Sequence, residues 1–425
     1  MKKRVSILAL SMVVCASSAF ASGWRIPEQS VNSTALSAAY VANASGADAS
    51  YFNPANMVFD SEKEKYQVEM ALNYIHLTEI EYDDNRSPAL DAKSEKEDFY
   101  IPVFHLVSPE YNNFRFGVSL TTPAGLSKRW EDSWASGLAE EFTLEVFELN
   151  PTIAYKVADW ISVGGGVRAV YSRGKVVSSN LNLTGRALLP DGYYSRKLNG
   201  DSIDFGYNLA VTVKPTDALT TSVTYRSRVD IDLDGNNARL YYEPAIGTAT
   251  SSYQGHGDVS VPVAAVVTVA AAYTFQATTI EIGWDRTFWS DYDELDFNYG
   301  ANIAAYPHLE AVFGTPRPKD FDDTDAFRIG LTQKLMNDRL TLMFGFAIDE
   351  SPVPDKTLGF ELPDSDAKIY SCGFKYKLDE TYDFGMSFLY DQKDDRKISN
   401  NDSNIDGEFT NSSAYMVTTG MMMKF

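Results

Sequence analysis

The stretch ISVGGGVRAVYS, residues 161–172, decides the fold class of this chain. Apolar residues such as Ile161 and Val163 alternate with small or polar residues such as Ser162 and Arg168. Alternation with a period of two is the pattern of a β-strand that has one apolar and one polar face. The same pattern recurs in SIDFGYNLAVTV (202–213), LTLMFGFAI (340–348) and AYMVTTGMMMKF (414–425).

About fourteen segments carry this alternation. They cover residues 65–81, 97–107, 113–122, 142–157, 160–173, 201–214, 218–234, 258–275, 278–291, 325–335, 338–349, 367–378, 381–393 and 412–425. Every second connection is short, for example at Gln276-Ala277, whereas others such as 292–324 are long and polar. An even number of strands with this asymmetry is typical of outer-membrane barrels, whose closure leaves no strand edge unpaired in lipid.

We therefore predict an all-β fold, a 14-stranded antiparallel transmembrane β-barrel over residues 64–425. The alternative is a soluble β-sandwich, which would need two inward-facing apolar sheets. The formal net charge of −21 argues against nucleic acid as a partner.

The N-terminal residues predict export. Lys2, Lys3 and Arg4 precede an apolar run over 5–14, and Ala19-Phe20-Ala21 matches a cleavage site. This pattern indicates a secretory signal peptide over residues 1–21 and a mature chain that begins at Ser22. Cys372 is then the one remaining cysteine, so no intrachain disulfide framework is expected.

Residues 22–63 do not follow the strand pattern. SVNSTALSAAYVANASGADAS (30–50) is rich in Ala and Ser, and small side chains suit a compact segment inside a barrel. We predict that residues 22–63 form a partly helical hatch that plugs the barrel. Asn53-Pro54-Ala55 is a turn signal, because Pro fixes φ and restricts the residue before it.

Several motifs occur in a characteristic order. They are GWRIPEQS (23–30), ADASYFNPANM (47–57), GVSLTTPAGLSKRW (117–130), LNPTIAYKVADWISVGGGVRAVYSRGKV (149–176), VTYRSRVDIDLDG (223–235) and DESPVPD (349–355). Together they resemble the long-chain fatty acid transporter (FadL) and toluene-transporter family of outer-membrane proteins, over essentially the whole mature chain. One departure is STALSAAYVANA (33–44), where the family usually has Gly in the early hatch helix.

The resemblance implies a hatch-plugged barrel of 14 strands in the outer membrane of a Gram-negative bacterium. It implies transport of hydrophobic molecules, which leave sideways through a gap at a kinked strand. Pro123 and Gly125 fit such a break, because Pro removes a ladder donor and Gly marks a bend. The resemblance places Asn53-Pro54-Ala55 beside this break, as part of a lateral gate.

An internal pocket for a fatty acid needs an apolar slot and a cationic handle. Strand alternation points Arg168, Arg226, Arg228 and Arg328 into the lumen, and the resemblance places Arg173 and Trp24 near the internal pocket. For each arginine the alternative is an ion pair that holds the hatch, because inward-facing acids are also predicted. They are Glu148, Asp230, Asp232, Asp234 and Asp285, with Val229, Ile231 and Leu233 predicted to face lipid.

Two outer loops carry apolar residues that predict a surface groove. These residues are Leu188, Leu189 and Tyr193 in one loop and Tyr241, Tyr242 and Ile246 in the other. The alternative is that the two loops simply pack on each other.

No enzyme, metal site or cofactor is expected. His76, His105, His256 and His308 are scattered without metal spacing, and no nucleophile motif occurs. The sequence thus favours uptake of long-chain fatty acids, with aromatic or aliphatic hydrocarbons as alternative substrates and an adhesin or receptor without transport as a third reading. Expected partners are outer-membrane lipid, lipopolysaccharide and, through the C-terminal Phe425, the barrel-assembly machinery.

Overall fold

The computed structural model describes residues 23–131, 134–180, 192–244 and 250–425. Fourteen antiparallel strands form the wall of a barrel, and two of them are interrupted. The strands are β1 (Gln67–Leu77), β2 (Glu97–Val107), β3 (Phe114–Arg129), β4 (Glu141–Ala158), β5 (Ile161–Ser179), β6 (Tyr193–Val213), β7 (Leu219–Arg226 and Val229–Glu243), β8 (Ser251–Val263 and Ala265–Phe275), β9 (Thr278–Phe288), β10 (Thr324–Leu335), β11 (Leu340–Asp349), β12 (Ala367–Lys377), β13 (Tyr382–Lys393) and β14 (Ser413–Lys424).

The sheet closes on itself between its first and last strands. β1 pairs with β14 along its whole length, from Gln67 opposite Lys424 to Leu77 opposite Ala414. The C-terminal Phe425 continues the ladder, because its backbone and that of Tyr66 exchange hydrogen bonds of 3.1 and 2.8 Å. Closure matters in lipid, where an unpaired backbone group has no water to bind. The predicted 14-stranded barrel is confirmed.

The two faces of the wall differ as the alternation predicts. On β6, Ile203, Phe205 and Leu209 are exposed on the outside, whereas Asn208 and Thr212 are buried inside. Exposed aliphatic and aromatic side chains would be unfavourable in water but match a hydrocarbon solvent. Within the described residues, no helix has the length and apolar character needed to cross a membrane.

The two ends of the barrel are unequal. Residues 159–160 and 276–277 make tight turns at one end, whereas connections such as 289–323 at the other end are long. The long connections carry short elements of their own. These are strands Glu81–Asp84, Ala92–Lys93, Glu294–Leu295, Phe297–Asn298, Arg317–Pro318, Arg396–Ile398 and Gly407–Thr410, 3-10 helices Pro88–Leu90 and Ala301–Ala305, and α-helices Ser136–Ala139 and Pro307–Phe313. By the asymmetry of such barrels, the long-loop end faces outside.

The segment before β1 lies inside the barrel. It contains α1 (Val31–Ala35), α2 (Ala49–Phe52) and a 3-10 helix (Pro54–Phe59), and most of its residues are buried. The Ser30 hydroxyl caps α1 by accepting a 3.1 Å hydrogen bond from the Ser33 amide. Ala35 and Ala49 are fully buried, so small side chains let the hatch backbone approach the wall.

The departure from Gly in the early hatch has a structural consequence. Ser37 and Ala38 follow α1 with φ angles of 48° and 60°, in the left-handed region that favours glycine. The same bend packs tightly on the wall, because a Cβ on Gly345 of β11 would lie 2.1 Å from the backbone carbon of Leu36. The hatch is therefore held by a backbone contact that tolerates no extra methyl group.

This contact yields a first prediction. Gly345→Ala should weaken hatch docking by about 1–3 kcal/mol, because the methyl group meets backbone rather than a flexible side chain. The barrel should keep its resistance to sodium dodecyl sulfate, while ion conductance in planar bilayers rises. The control is Gly283→Ala on β9, whose added Cβ has its nearest neighbour at 4.0 Å. Unchanged conductance in Gly345→Ala would contradict the close packing.

Candidate ligand-binding site

An apolar cavity lies beneath the outer loops. It contains about 790 Å³ of space between atoms, part of it open to solvent. Its apolar walls come from the hatch, from the upper parts of β3 to β8 and from two outer loops. The lining side chains are Trp24, Leu126, Phe142, Leu144, Val176, Leu198, Leu233, Val259, Val261, Tyr292, Leu295, Phe297, Phe321, Val353 and Leu362. Such a surface suits a hydrocarbon chain.

A reversal within β7 brings one of its residues, Leu233, into the apolar lining. Thr224 is buried before the interruption at residues 227–228, and Val229, Ile231 and Leu233 are buried after it. Inward positions therefore change from even to odd numbers, because an irregularity of one residue moves every later side chain to the other face. The prediction that these three residues face lipid is wrong.

The same reversal moves the aspartates. Asp230, Asp232 and Asp234 are exposed on the outer face of upper β7, so their predicted inward orientation is also wrong. Arg228, which alternation likewise points inward, instead pairs with Asp230 at 2.6 Å. Glu148 and Asp285 are buried inside as predicted.

Trp24 lies at the base of the apolar cavity. Its ring meets that of Trp289 edge-on, with centroids 4.6 Å apart, and its indole N–H donates a 2.9 Å hydrogen bond to the Pro262 carbonyl. The predicted position near an internal pocket agrees with this placement. Contact between Trp24 and a ligand stays a prediction.

Two of the predicted arginines share one buried acid. Arg168 donates to Glu148 at 2.7 Å and to the Ser227 carbonyl at 2.6 Å, and Arg226 also bonds Glu148. The Arg226 guanidinium lies 4.2 Å from the centre of the Tyr51 ring, within a smaller cavity of about 470 Å³. Neither side chain lines the apolar cavity.

Arg328 and Arg173 occupy different environments. Arg328 is buried and bonds Asp285 at 3.1 Å, Asp349 at 3.0 Å and the Ser37 carbonyl of the hatch at 3.0 Å. Arg173 is half exposed and bonds Glu145 at 2.5 Å on the outer face. Arg173 therefore lies outside the lumen, and its predicted place near the internal pocket is wrong. Ligand contact by Arg168, Arg226 or Arg328 stays a prediction, and the structure shows Arg328 tying the hatch to the wall.

Sequence reasoning missed the buried cation that lines the apolar cavity. Lys319 is 6% exposed and is bonded to Glu361, which is 8% exposed and lines the same cavity. Burial acts to raise the pKa of Glu361, but the charge and hydrogen bond of Lys319 lower it overall. The Thr357 hydroxyl donates a 2.5 Å hydrogen bond to the Lys319 carbonyl and fixes the loop there. Lys175 also lines the cavity and is paired with Glu141.

The predicted outer-loop groove is described in part. Leu188, Leu189 and Ile246 lie outside the described residues. The tops of β6 and β7 pair, which sets Tyr242 opposite Tyr194 and Glu243 opposite Tyr193. The Tyr242 ring lies 6.2 Å from the ring of His308, whereas the Tyr241 hydroxyl donates to Glu243 at 3.0 Å. A ligand groove here stays a prediction.

The wall is interrupted at β3. Its register with β4 shifts between Thr121 and Ala124, at the position of Pro123. Within the described part of the chain, the ladder between β2 and β3 runs only through Phe104–Val107. Above it the two strands are joined at the top by the bond from the Glu95 amide to the Arg129 carbonyl, at 2.9 Å, and by the side chains of Ser127 and Glu97. The predicted break in β3 is therefore present as an irregular, partly unpaired strand.

Residues Trp24–Gln29, which we call the gate segment, bond to this break. The Ile26 amide donates to the Pro123 carbonyl at 2.8 Å, and the Gly125 amide donates to the Trp24 carbonyl at 2.9 Å. The Gln29 side chain donates to the Thr122 carbonyl at 2.8 Å and accepts from its amide at 2.9 Å. The hatch thus supplies the hydrogen bonds that β2 does not.

Asn53-Pro54-Ala55 bonds elsewhere, which corrects its predicted place beside the break. The Asn53 amide group donates to Thr212 of β6 and Ser222 of β7, each at 3.0 Å. Ser162 of β5 donates to the Ala55 carbonyl at 2.7 Å. The turn is fixed where β5 to β7 offer polar side chains, because its buried backbone groups need partners.

Within residues 23–131, 134–180, 192–244 and 250–425, no group of three or more His, Cys, Asp or Glu side chains is arranged to hold a metal ion. The site therefore combines an apolar cavity, a buried ion pair at its wall, a plugged lumen and an irregular strand. This arrangement suits binding and passage of an apolar molecule.

Curated relatives share part of this sequence. The chain is 29% identical over 332 residues to the long-chain fatty acid transport protein of Salmonella typhi, with 71% of this chain and 72% of that protein covered. It is 28% identical over 327 residues to the protein of the same name from Escherichia coli K12, covering 69% and 71%. It is 25% identical to the 47 kDa outer membrane protein of Pasteurella multocida, covering 91% and 90%.

Solved structures share the fold. A FadL homologue of Pseudomonas aeruginosa matches with a TM-score of 0.79 at 18% identity, over 95% of this chain and 99% of that one. The toluene transporter TodX of Pseudomonas putida matches with a TM-score of 0.70 at 17% identity, over 93% and 98%.

The family description that fits this sequence is "Outer membrane protein transport protein (OMPP1/FadL/TodX)", and its model matches residues 12–425. That span includes the hatch and all fourteen strands. This chain belongs to the OMPP1/FadL/TodX family of outer-membrane transport proteins.

Proposed function

We propose that this protein carries hydrophobic molecules, foremost long-chain fatty acids, through the outer membrane. The observation that carries the proposal is the apolar cavity with the Lys319–Glu361 pair in its wall. A fatty acid has a long apolar chain and one carboxylate. The apolar side chains of this cavity can contact the chain, and Lys319 can bind the carboxylate. The sequence relatives named as long-chain fatty acid transport proteins support this substrate class.

The Lys319–Glu361 pair gives the cavity its cationic handle. A ligand carboxylate that enters the cavity competes with Glu361 for the Lys319 ammonium. Hydrogen bonds to charged groups are stronger than neutral ones, and they are strengthened further where water is excluded. A carboxylate therefore gains an oriented contact that an uncharged hydrocarbon lacks.

Aromatic or aliphatic hydrocarbons are the second candidate substrates. Most of the cavity wall is aliphatic or aromatic, and a ligand without charge would leave the Lys319–Glu361 pair intact. Structural relatives named as a toluene transporter and as the CymD monoaromatic hydrocarbon channel have the same fold. The cavity wall alone favours neither class, whereas the buried ammonium favours the acid.

The route we propose is lateral. The hatch fills the lumen, and the upper halves of β2 and β3 form no ladder with each other in the described chain. Release into aqueous periplasm would expose the ligand chain to water, whereas release between β2 and β3 keeps it in hydrocarbon. The difference is about 0.8 kcal/mol for each CH₂ kept from water.

The handle is tested by neutralising both members of the pair. Lys319→Gln with Glu361→Gln keeps the side-chain volumes and leaves no unpaired charge. Loss of one charge-assisted hydrogen bond of about 1.5–3 kcal/mol should weaken fatty-acid binding roughly 10-fold to 150-fold. Binding of an uncharged hydrocarbon of similar length should be unchanged, as measured by calorimetry on purified protein.

The matched control is Lys368→Gln with Asp394→Asn, which neutralises an exposed pair away from the cavity. Both ligands should bind this variant normally. The handle is instead a lumen arginine, as predicted from the sequence, if alanine at Arg168 weakens fatty-acid binding selectively and the cavity variant does not.

The lateral route is tested at the break. Gly125→Val puts a branched side chain where the gate segment bonds β3, and it should abolish uptake of labelled fatty acid by cells. The barrel should stay resistant to heat, and ligand binding to the purified protein should persist. Gly283→Ala serves as a control with normal uptake.

The central route is the competing account. It would be correct if uptake persists in Gly125→Val but stops when engineered cysteines lock Ser22–Asp60 to the barrel wall.

A further inference from the structure

Two buried carboxylates have no hydrogen-bond partner. Glu28 belongs to the gate segment and Asp391 to β13, and each side chain is fully buried. Both oxygens of Glu28 and both oxygens of Asp391 lack a donor. An unpaired buried carboxylate is strongly unfavourable when ionised, so such a group is retained neutral or neutralised by a cation.

Three neighbouring cations are already engaged. Arg328 of β10 bonds Asp285 of β9 and Asp349 of β11, and Arg25 of the gate segment lies 3.8 Å from Asp285. Lys393, near Asp391 on β13, is bonded to Asp364 in the loop after β11. Beyond these groups, the buried Lys128 of β3, whose ammonium has no hydrogen-bond partner, interacts with Lys393.

Five carboxylates lie in this cluster, and of these five only Glu28 and Asp391 have no hydrogen-bond donor. The other three are Asp285, Asp349 and Asp364, which bond Arg328 or Lys393. Protons are the simplest way to balance this cluster. Burial raises the pKa of Glu28 to about 7, and the charge of Arg328 offsets only part of that shift.

Glu28 lies next to the residues that hydrogen-bond the gate segment to the barrel wall, so its protonation can affect those bonds. Ile26, two residues before it, donates to Pro123 of β3, and Gln29, the next residue, bonds Thr122. The Glu28 carbonyl accepts a 3.1 Å hydrogen bond from Asn73 of β1. Any movement of Glu28 away from Asp391 therefore pulls on the bonds that close the break.

We propose that Glu28 and Asp391 form a proton-dependent latch that holds the gate segment on β3 when both carboxyls are protonated. When protons leave, two unpaired negative charges repel each other and the buried site becomes unfavourable. The gate segment then separates from Thr122–Gly125. The latch goes beyond the proposed function, and its role at the exit rests on the lateral route of that proposal.

The direction of the pH dependence follows from proton linkage. The closed state binds more protons than the open state, because opening returns Glu28 to water and to its ordinary pKa. Closure is therefore favoured at low pH. It is lost progressively as the pH rises from 4.5, the ordinary pKa of a glutamate, toward about 7, the pKa of Glu28 in the closed state. Uptake should accordingly be faster in neutral than in acidic medium.

Hydrogen exchange of the gate amides tests the latch without any ligand. The full chain in lipid nanodiscs is compared at about pH 5.5 and about pH 8, and each exchange rate is divided by that of an unstructured peptide at the same pH. Protection of the Ile26 and Gly125 amides should fall about tenfold or more over this range, because one pKa unit corresponds to a tenfold change in proton occupancy.

Glu28→Gln with Asp391→Asn should remove this fall and keep both amides protected at both pH values. Glu28→Gln alone, which also serves if the double variant does not insert, should show a smaller fall than the native chain. The control Glu380→Gln removes an exposed carboxylate in a turn and should keep the native pH dependence.

Native protection that does not change with pH, or a fall that persists undiminished in the Glu28 and Asp391 variants, would overturn the latch. Fatty-acid uptake by the same variants is measured separately. Loss of uptake with a normal exchange response would count against the transport proposal and leave the latch standing.

Discussion

The backbone hydrogen bonds between the gate segment and β3 are the interaction on which the rest of this structure depends. A barrel in lipid must satisfy every backbone group within its own wall, yet upper β3 has no ladder with β2 in the described chain. Ile26 and Gly125 close that ladder from inside the lumen. The wall is complete only when the hatch is in place, so the position of the hatch determines whether the break in β3 is closed. Displacing the gate segment would leave backbone groups unpaired at the same place where the wall could part.

A second constraint shapes the binding cavity. An outer-membrane barrel ordinarily has a polar interior, and most of this lumen follows that rule, with pairs such as Arg168 and Glu148. A dry pocket requires apolar side chains to point inward at one level. The interruption of β7 at residues 227–228 contributes to this by reversing the faces, which brings Leu233 into the cavity and turns Asp232 outward. A local irregularity in one strand therefore adds an apolar residue to the cavity and places acidic side chains on the outer face.

Much of this architecture could be predicted from the sequence, for identifiable reasons. Alternation is a local property, so strands such as β6 and the closing strand β14 follow directly from their residues. Alternation also points Arg168 inward correctly, but it cannot reveal that Glu148 occupies its guanidinium. The Lys319–Glu361 pair could not be predicted, because it joins two loops that neither alternate nor share a sequence motif. The same holds for the gate segment, whose partner on β3 follows from the path of the chain inside the barrel. At β7 the local rule failed, since the extra residue that reverses the faces leaves no signal in the alternation itself.

The central claim is that the apolar cavity binds a fatty acid and hands it to the gap at β3. A crystal structure with a long-chain fatty acid brominated at its terminal carbon tests this most directly, because anomalous scattering locates the bromine and ordinary density locates the carboxylate. The account predicts a carboxylate within hydrogen-bonding distance of Lys319 Nζ and the chain lying among Trp24, Leu233 and Phe321. Bromine density in the lumen between the hatch and β5 to β7, with the apolar cavity empty, would contradict it.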